Sequence, residues 1–137
     1  MTAGYSGKPA YQKLGLKDGL RCLVLAEPGP YLPLVGAVEA GLALLPAEDE
    51  LDFVHIFVTE AERLAAELPR LRGLLQPAGM IWVSWPKKAA KMPTDVTEDV
   101  VRDLALSIGL VDVKVCAVDQ VWSGLKLVIP RKDRRSR

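Results

Sequence analysis

Three short runs of this chain are apolar almost without interruption, and they constrain the fold more than any other feature. They are Leu20-Arg21-Cys22-Leu23-Val24-Leu25-Ala26, Phe53-Val54-His55-Ile56-Phe57-Val58 and Met80-Ile81-Trp82-Val83-Ser84-Trp85. All three are rich in β-branched, aliphatic or aromatic side chains, and Asp18-Gly19, Asp52 and Gly79 stand in front of them as turn or boundary residues. A strand that is wet on one face alternates polar with apolar residues; a strand covered on both faces does not. Such strands belong mostly to parallel sheets flanked by helices.

Helical patterns lie between the runs. Leu64, Leu68, Leu71 and Leu75 recur at spacings of four, three and four, which predicts a helix from Glu60 to Leu75. Pro69 lies inside it and cannot donate to the preceding turn, so the helix is expected to bend or restart there, and it stops at Gln76-Pro77-Ala78-Gly79. A second helix, capped by Asp95 or Thr97, carries the apolar stripe Val100, Val101, Leu104, Ala105 and Ile108 and ends at Gly109; Glu98 is spaced from Asp95 for a capping box. Ala10 to Leu16 reads as a short helix closed by Gly15. Between Tyr31 and Leu45, Leu34, Val35 and Val38 suggest a further short helix and Leu42 to Leu45 an outer strand. Val111 to Ala117 and Trp122 to Ile129 read as a β-hairpin. The order strand, helix, strand, strand, helix, strand, helix, hairpin predicts an α/β domain with helices on both faces of a mostly parallel sheet.

The 137 residues suffice for one such domain, expected over residues 10–130, with a flexible arm over 1–9 and a basic tail over 131–137. The 18 Lys and Arg against 17 Asp and Glu give a net charge of +1, which excludes a strong overall bias toward nucleic acid or anionic membranes. Cys22 and Cys116 sit in apolar runs, the start of the chain does not read as a secretory signal, and no apolar run approaches the roughly 20 residues that span a bilayer. A soluble, cytoplasmic protein is expected.

From Asp52 onward the layout resembles the second half of a Rossmann-like S-adenosylmethionine-dependent methyltransferase. Leu75-Gln76-Pro77-Ala78-Gly79 stands where that fold has a Leu-x-Pro-x-Gly turn, and the closing hairpin resembles its ending, in which a last antiparallel strand inserts into the sheet. The resemblance implies the same fold. Two departures bear on the cofactor. The Gly-rich turn after the first strand is replaced by Glu27-Pro28-Gly29-Pro30-Tyr31, with one glycine, two prolines and a bulky ring. The acidic residue at the end of the second strand is replaced by Leu44-Leu45-Pro46-Ala47, so that Glu48 or Asp49 could serve only if the loop bends back, and Pro46 to Leu51 leave no room for a third strand and its helix. The chain is also similar over nearly its full length to a family of small bacterial proteins of unknown function. Tyr5-Ser6-Gly7, Trp82-Val83-Ser84-Trp85-Pro86-Lys87-Lys88, Thr94 to Arg102, Gly109 to Asp119 and Trp122-Ser123-Gly124-Leu125 carry that similarity, which transfers no catalytic residues.

In open α/β sheets ligands bind beyond the carboxyl ends of the strands, where strand order reverses. That criterion selects the loops Glu27 to Tyr31, Thr59-Glu60 and Pro86 to Asp95. The candidate ligand-binding residues are Glu27, Gly29, Tyr31, Thr59, Trp85, Lys87, Lys88 and Trp122. Lys87, Lys88 and Lys91 could meet an anion, although Asp95, Glu98 and Asp99 supply their own negative charge nearby. Trp85 and Trp122 could border a pocket, whereas Trp82 reads as core. His55, the single histidine, lies inside a strand and reads as a core residue rather than a base. No metal-ligand spacing, nucleophile elbow or P-loop occurs, and no catalytic residue is assigned. The leading expectation is a non-catalytic domain without a cofactor that binds a protein partner or a small ligand. The alternative is a minimal S-adenosylmethionine-dependent methyltransferase in which Glu27 and Gly29 shape the cofactor site and Trp85 borders the acceptor. Nucleic-acid binding through Lys87, Lys88, Lys91 and the tail is a third.

Overall fold

In a computed structural model, which describes residues 8–134, the predicted order of elements is present. After α1 (Ala10–Leu14) come β1 (Arg21–Leu25), α2 (Tyr31–Leu34), β2 (Leu45–Pro46), β3 (Leu51–Phe57), α3 (Ala61–Leu74), β4 (Leu75–Pro86), α4 (Glu98–Ser107), β5 (Val111–Ala117) and β6 (Trp122–Val128). The expectations for an arm over residues 1–7 and for the last three residues of the basic tail lie outside the described residues.

The strands form one sheet in the order β2-β1-β3-β4-β6-β5. The first four are parallel; β6 enters between β4 and β5 antiparallel to both. Both faces of β3 and of β4 from Ile81 onward are buried, as their unbroken apolar runs demand, whereas β1, read in the same way, is buried only at Cys22 and half-buried along the rest of its length. Val54, Ile56, Ile81, Val83, Leu125 and Leu127 pack against Leu64, Leu68 and Leu71 of α3 and Val101 and Ala105 of α4. Phe53, Phe57, Trp82 and Trp122 form the other layer with Leu14 of α1 and Val35 after α2. The Trp82 indole donates to the carbonyl of Leu14 at 2.9 Å, so a core ring also satisfies one of the free carbonyls at the end of α1.

Three local readings change. The helix around Pro69 runs without a restart from Ala61 to Leu74, because Pro69 and Ala65, whose carbonyl loses its donor, both face solvent. The Asp95–Glu98 capping box does not form. Thr97 caps α4 by accepting from the Val100 amide at 3.2 Å, while the Asp95 carboxylate accepts from the Ala61 amide at the start of α3 at 2.8 Å. Glu98 turns instead to Arg102, which also binds Asp99 at 2.9 Å and Asp112 at 3.0 Å and so ties α4 to β5. The outer strand is two residues long and lies at Leu45–Pro46 rather than over 42–45.

The Leu-x-Pro-x-Gly turn falls within β4. Leu51 pairs with Leu75 and Phe53 with Met80, so Gln76 to Gly79 bulge out of the ladder. Asp52 holds the bulge, accepting from Gln76 Nε2 at 3.2 Å and from the Arg21 amide at 2.9 Å. A Cβ at Gly79 would stand 2.5 Å from the Leu51 carbonyl oxygen and 3.0 Å from Leu75, which is too close for any side chain. A second irregularity lies in β5, where the pairing shifts between Asp112 and Lys114. From the Gly79 contact, a Gly79→Ala variant is expected to lose about 2 kcal/mol of stability, read as a lower urea midpoint; an unchanged midpoint would show that the bulge relaxes freely.

Candidate functional site

Strand order reverses at β1. Its connection to β2 runs to one side and β3 lies on the other, so the crevice beyond their carboxyl ends is where this topology opens to a ligand. The loop after β1 begins at Ala26, which takes a left-handed conformation at φ 58°. It leaves Glu27 and Pro28 exposed and continues through Gly29 and Pro30 into α2. A Cβ on Gly29 would meet no atom within 4 Å, so this stretch stands clear of the rest of the molecule.

Tyr31, the first residue of α2, leaves the loop and points into the sheet. Its hydroxyl lies 2.6 Å from Nδ1 of His55, and Nε2 of His55 lies 2.7 Å from Oγ of Ser84. His55 and Ser84 are fully buried on adjacent central strands. The imidazole stacks on Phe57 at 4.3 Å between ring centroids and meets the Tyr31 ring edge-on at 5.4 Å. Desolvation pushes the His55 pKa down to about 3, so the ring is neutral and carries one N–H. Burial also raises the Tyr31 phenol well above its ordinary range, with Cys22 and Glu27 adding to it. Phenol is a stronger acid than an aliphatic alcohol. The consistent arrangement therefore has Tyr31 donating to the Nδ1 lone pair and Nε2–H donating to Ser84.

The other sequence candidates divide between the two sides of the sheet. Trp122 packs edge-on against Phe57 at 5.3 Å, in the same layer as Tyr31. Trp85 lies in the opposite layer with α3 and α4, and each indole is only 7% exposed, so the two do not form one stacking platform. The carbonyl of Thr59 accepts from Thr94 Oγ1 at 2.7 Å and from the Asp95 amide at 3.3 Å, which joins the loop after β3 to the one before α4. Lys87 turns its ammonium to the Asp119 carbonyl at 2.7 Å, bracing the β5–β6 turn, whereas Lys88 and Lys91 are exposed. Beside them an open groove of about 820 Å³ has Trp85, Pro86, Met92 and Val96 among its apolar walls and Lys88, Thr94 and Ser123 among its polar ones. Its volume suits a small organic ligand.

On the far side of β1, the loop after β2 bends back in the wrong direction to serve the crevice. Arg21, at the start of β1, binds the Asp49 carboxylate at 2.9 Å and the carbonyls of Asp49 and Glu50 at 2.8 and 3.1 Å. Asp49 is thereby drawn to the amino edge of the sheet. That clamp lets β2 lead directly into β3 without an intervening strand and helix.

The Tyr31–His55–Ser84 chain is the feature that residue-by-residue reading missed. Its signal was available: His55 and Ser84 are the two polar side chains among the buried residues of the described chain, each set in an apolar strand, and a buried donor needs a partner.

With this geometry in view, solved structures of similar shape fall among Rossmann-like methyltransferases. Magnesium protoporphyrin IX methyltransferase from Synechocystis PCC 6803, determined with bound S-adenosylmethionine, aligns over 84% of this chain and 72% of its own, with a TM-score of 0.57 and 13% identity. An S-adenosylmethionine-dependent methyltransferase from Aquifex aeolicus aligns over 86% and 87%, with a TM-score of 0.55 and 16% identity. A protein of the NADB-Rossmann superfamily from Streptococcus agalactiae covers all of this chain and 72% of its own at a TM-score of 0.53 and 12% identity. The fold is therefore Rossmann-like, of the methyltransferase type. No family model matches the chain, and no curated protein matches its sequence, so the similarity to a small bacterial family rests on the quoted stretches alone. No helix among the described residues is long and apolar enough to cross a membrane.

Because the chain has one histidine, its neutral burial has a clean signature. The folded-state pKa is about 3 against 6.5 in the unfolded chain, so the unfolded state binds more protons below pH 6.5 and stability falls as the pH drops toward 3. Between pH 7.5 and 5.5, above the carboxylate range, about 1.4 kcal/mol should be lost in urea unfolding. A flat profile over that window would show that His55 takes a proton without leaving the fold.

Proposed function

We propose that this chain is a minimal S-adenosylmethionine-binding domain of the methyltransferase type, with the cofactor lying over the carboxyl ends of β1 and β3 against the loop from Glu27 to Pro30. The observation that carries this reading is the reversal of strand order at β1 with a free-standing loop directly above it. The fold likeness to structures determined with S-adenosylmethionine supports it, and makes a cofactor the better expectation than none.

Exposed Glu27 would contact the polar end of the cofactor, and open Gly29 would let the backbone approach it. The methyl acceptor would enter through the groove beside Trp85 and Lys88. The bound cofactor supplies an electrophilic methyl group on a sulfonium; the chain's part is to hold the two partners in line, which requires positioning more than an acid or base.

A second reading, a non-catalytic domain that receives a protein partner or small ligand, is favoured by two observations. Tyr31 packs down onto His55 where a wider crevice would otherwise extend, and Asp49 is held at the opposite edge. Calorimetric titration with S-adenosylhomocysteine separates the readings. A dissociation constant below about 100 µM, near −5.5 kcal/mol, is expected from a working site. Gly29→Trp should abolish that binding while leaving the urea midpoint unchanged, since a side chain there meets open space. No heat at several temperatures would overturn the cofactor reading and leave the partner-binding one.

A further inference from the structure

We propose that Ser84, His55 and Tyr31 act as a positioning device that sets the loop from Glu27 to Pro30 over the carboxyl edge from inside the sheet. This inference rests on the cofactor reading of that loop. The loop itself has little to hold it: Glu27 and Pro28 are exposed, Gly29 stands in open space, and the four-residue α2 that follows has no side-chain cap. What fixes its far end is Tyr31, through the 2.6 Å contact with His55 Nδ1 and the edge-on packing of its ring on His55 and Phe57.

The direction of this hold is set one residue further in. Tyr31 can donate to Nδ1 only when the imidazole proton is on Nε2; in that tautomer Ser84 Oγ, 2.7 Å from Nε2, is placed to accept the N–H. Ser84 is fully buried in β4, where it pairs with Phe57 of β3. Ser84 on one central strand thus anchors the far side of an imidazole on the next, and the anchored ring fixes where the phenol, and with it the loop, comes to rest. The chain of contacts lies within one continuous set of hydrogen bonds.

Three variants test this. Tyr31→Phe keeps the ring and removes the donor; Ser84→Ala removes the partner of Nε2 on the far side of the imidazole; Ser84→Thr restores a hydroxyl. Nitrogen NMR of the single imidazole should report the Nε2–H tautomer in the unaltered protein and in Ser84→Thr, and its Nε2 shift should move in Ser84→Ala, where that N–H has lost its acceptor. Amide resonances of Glu27, Gly29 and Tyr31 should shift in Ser84→Ala and Tyr31→Phe while those of α3 and α4 stay in place. Affinity for S-adenosylhomocysteine should fall about tenfold in both, in keeping with the loss of one buried hydrogen bond, and recover in Ser84→Thr.

Unchanged imidazole nitrogen shifts and unmoved loop amides in Ser84→Ala would overturn the positioning role. The NMR readouts need no ligand. If the unaltered protein fails to bind S-adenosylhomocysteine while the imidazole shifts and the loop still respond to Ser84, the cofactor reading fails and the positioning of the loop stands.

Discussion

The rest of the molecule depends on the parallel pairing of β3 with β4, buried on both faces. From Phe53 to Phe57 and from Ile81 to Trp85 that ladder is buried, so a polar side chain placed there must find its partner inside the protein. The backbone does so through the sheet. The side chains of His55 and Ser84 do so through each other and through Tyr31, which brings α2 and the preceding loop down onto the sheet. On the opposite face the same two strands carry Val54, Ile56, Ile81 and Val83, and these fix α3 and α4. The requirement that a two-sided strand be dry thus reaches from the core to the loop that borders the crevice.

Much of this architecture was legible in the residues. Unbroken apolar runs give parallel central strands because there is no wet face to mark with polar residues, and the alternation from Val111 to Ala117 marks a hairpin strand, although at this edge Val113, Lys114 and Val115 are all exposed. Pro69 misled because its cost depends on which side of the helix it occupies, and Ala65, whose carbonyl it frees, lies on the solvent side. Asp95 misled because capping was assigned along the sequence, whereas its carboxylate serves the helix that came before, 34 residues earlier. The Leu-x-Pro-x-Gly stretch reads as a turn and is one, but as an interruption within a strand, since both of its ends pair with β3.

The candidate site was less legible, for a geometric reason. Position along the chain says that Trp85 and Trp122 both lie near the same edge; it does not say on which face each ring emerges. Register decides that. Trp85 pairs with Ser123 and Trp122 with Pro86, one step apart, and one step in a strand is the difference between one layer and the other. Tyr31 was expected to crowd a ligand, and its ring does occupy the crevice side of the sheet. Its hydroxyl, however, is turned away from solvent toward a histidine that spacing alone could not connect to it.

The abbreviated connection after β2 has a consequence for the sheet as a surface. A strand of two residues, followed at once by a chain reversal that Arg21 clamps in place, presents almost no row of free amides and carbonyls on that side. On the other side β5 is longer and exposes Val113 and Val115, yet the shift in pairing between Asp112 and Lys114 breaks its regular spacing where a visiting strand would dock. One border of the sheet is thus shortened and the other interrupted, and brevity and irregularity are two of the means by which edge strands are made poor templates for pairing.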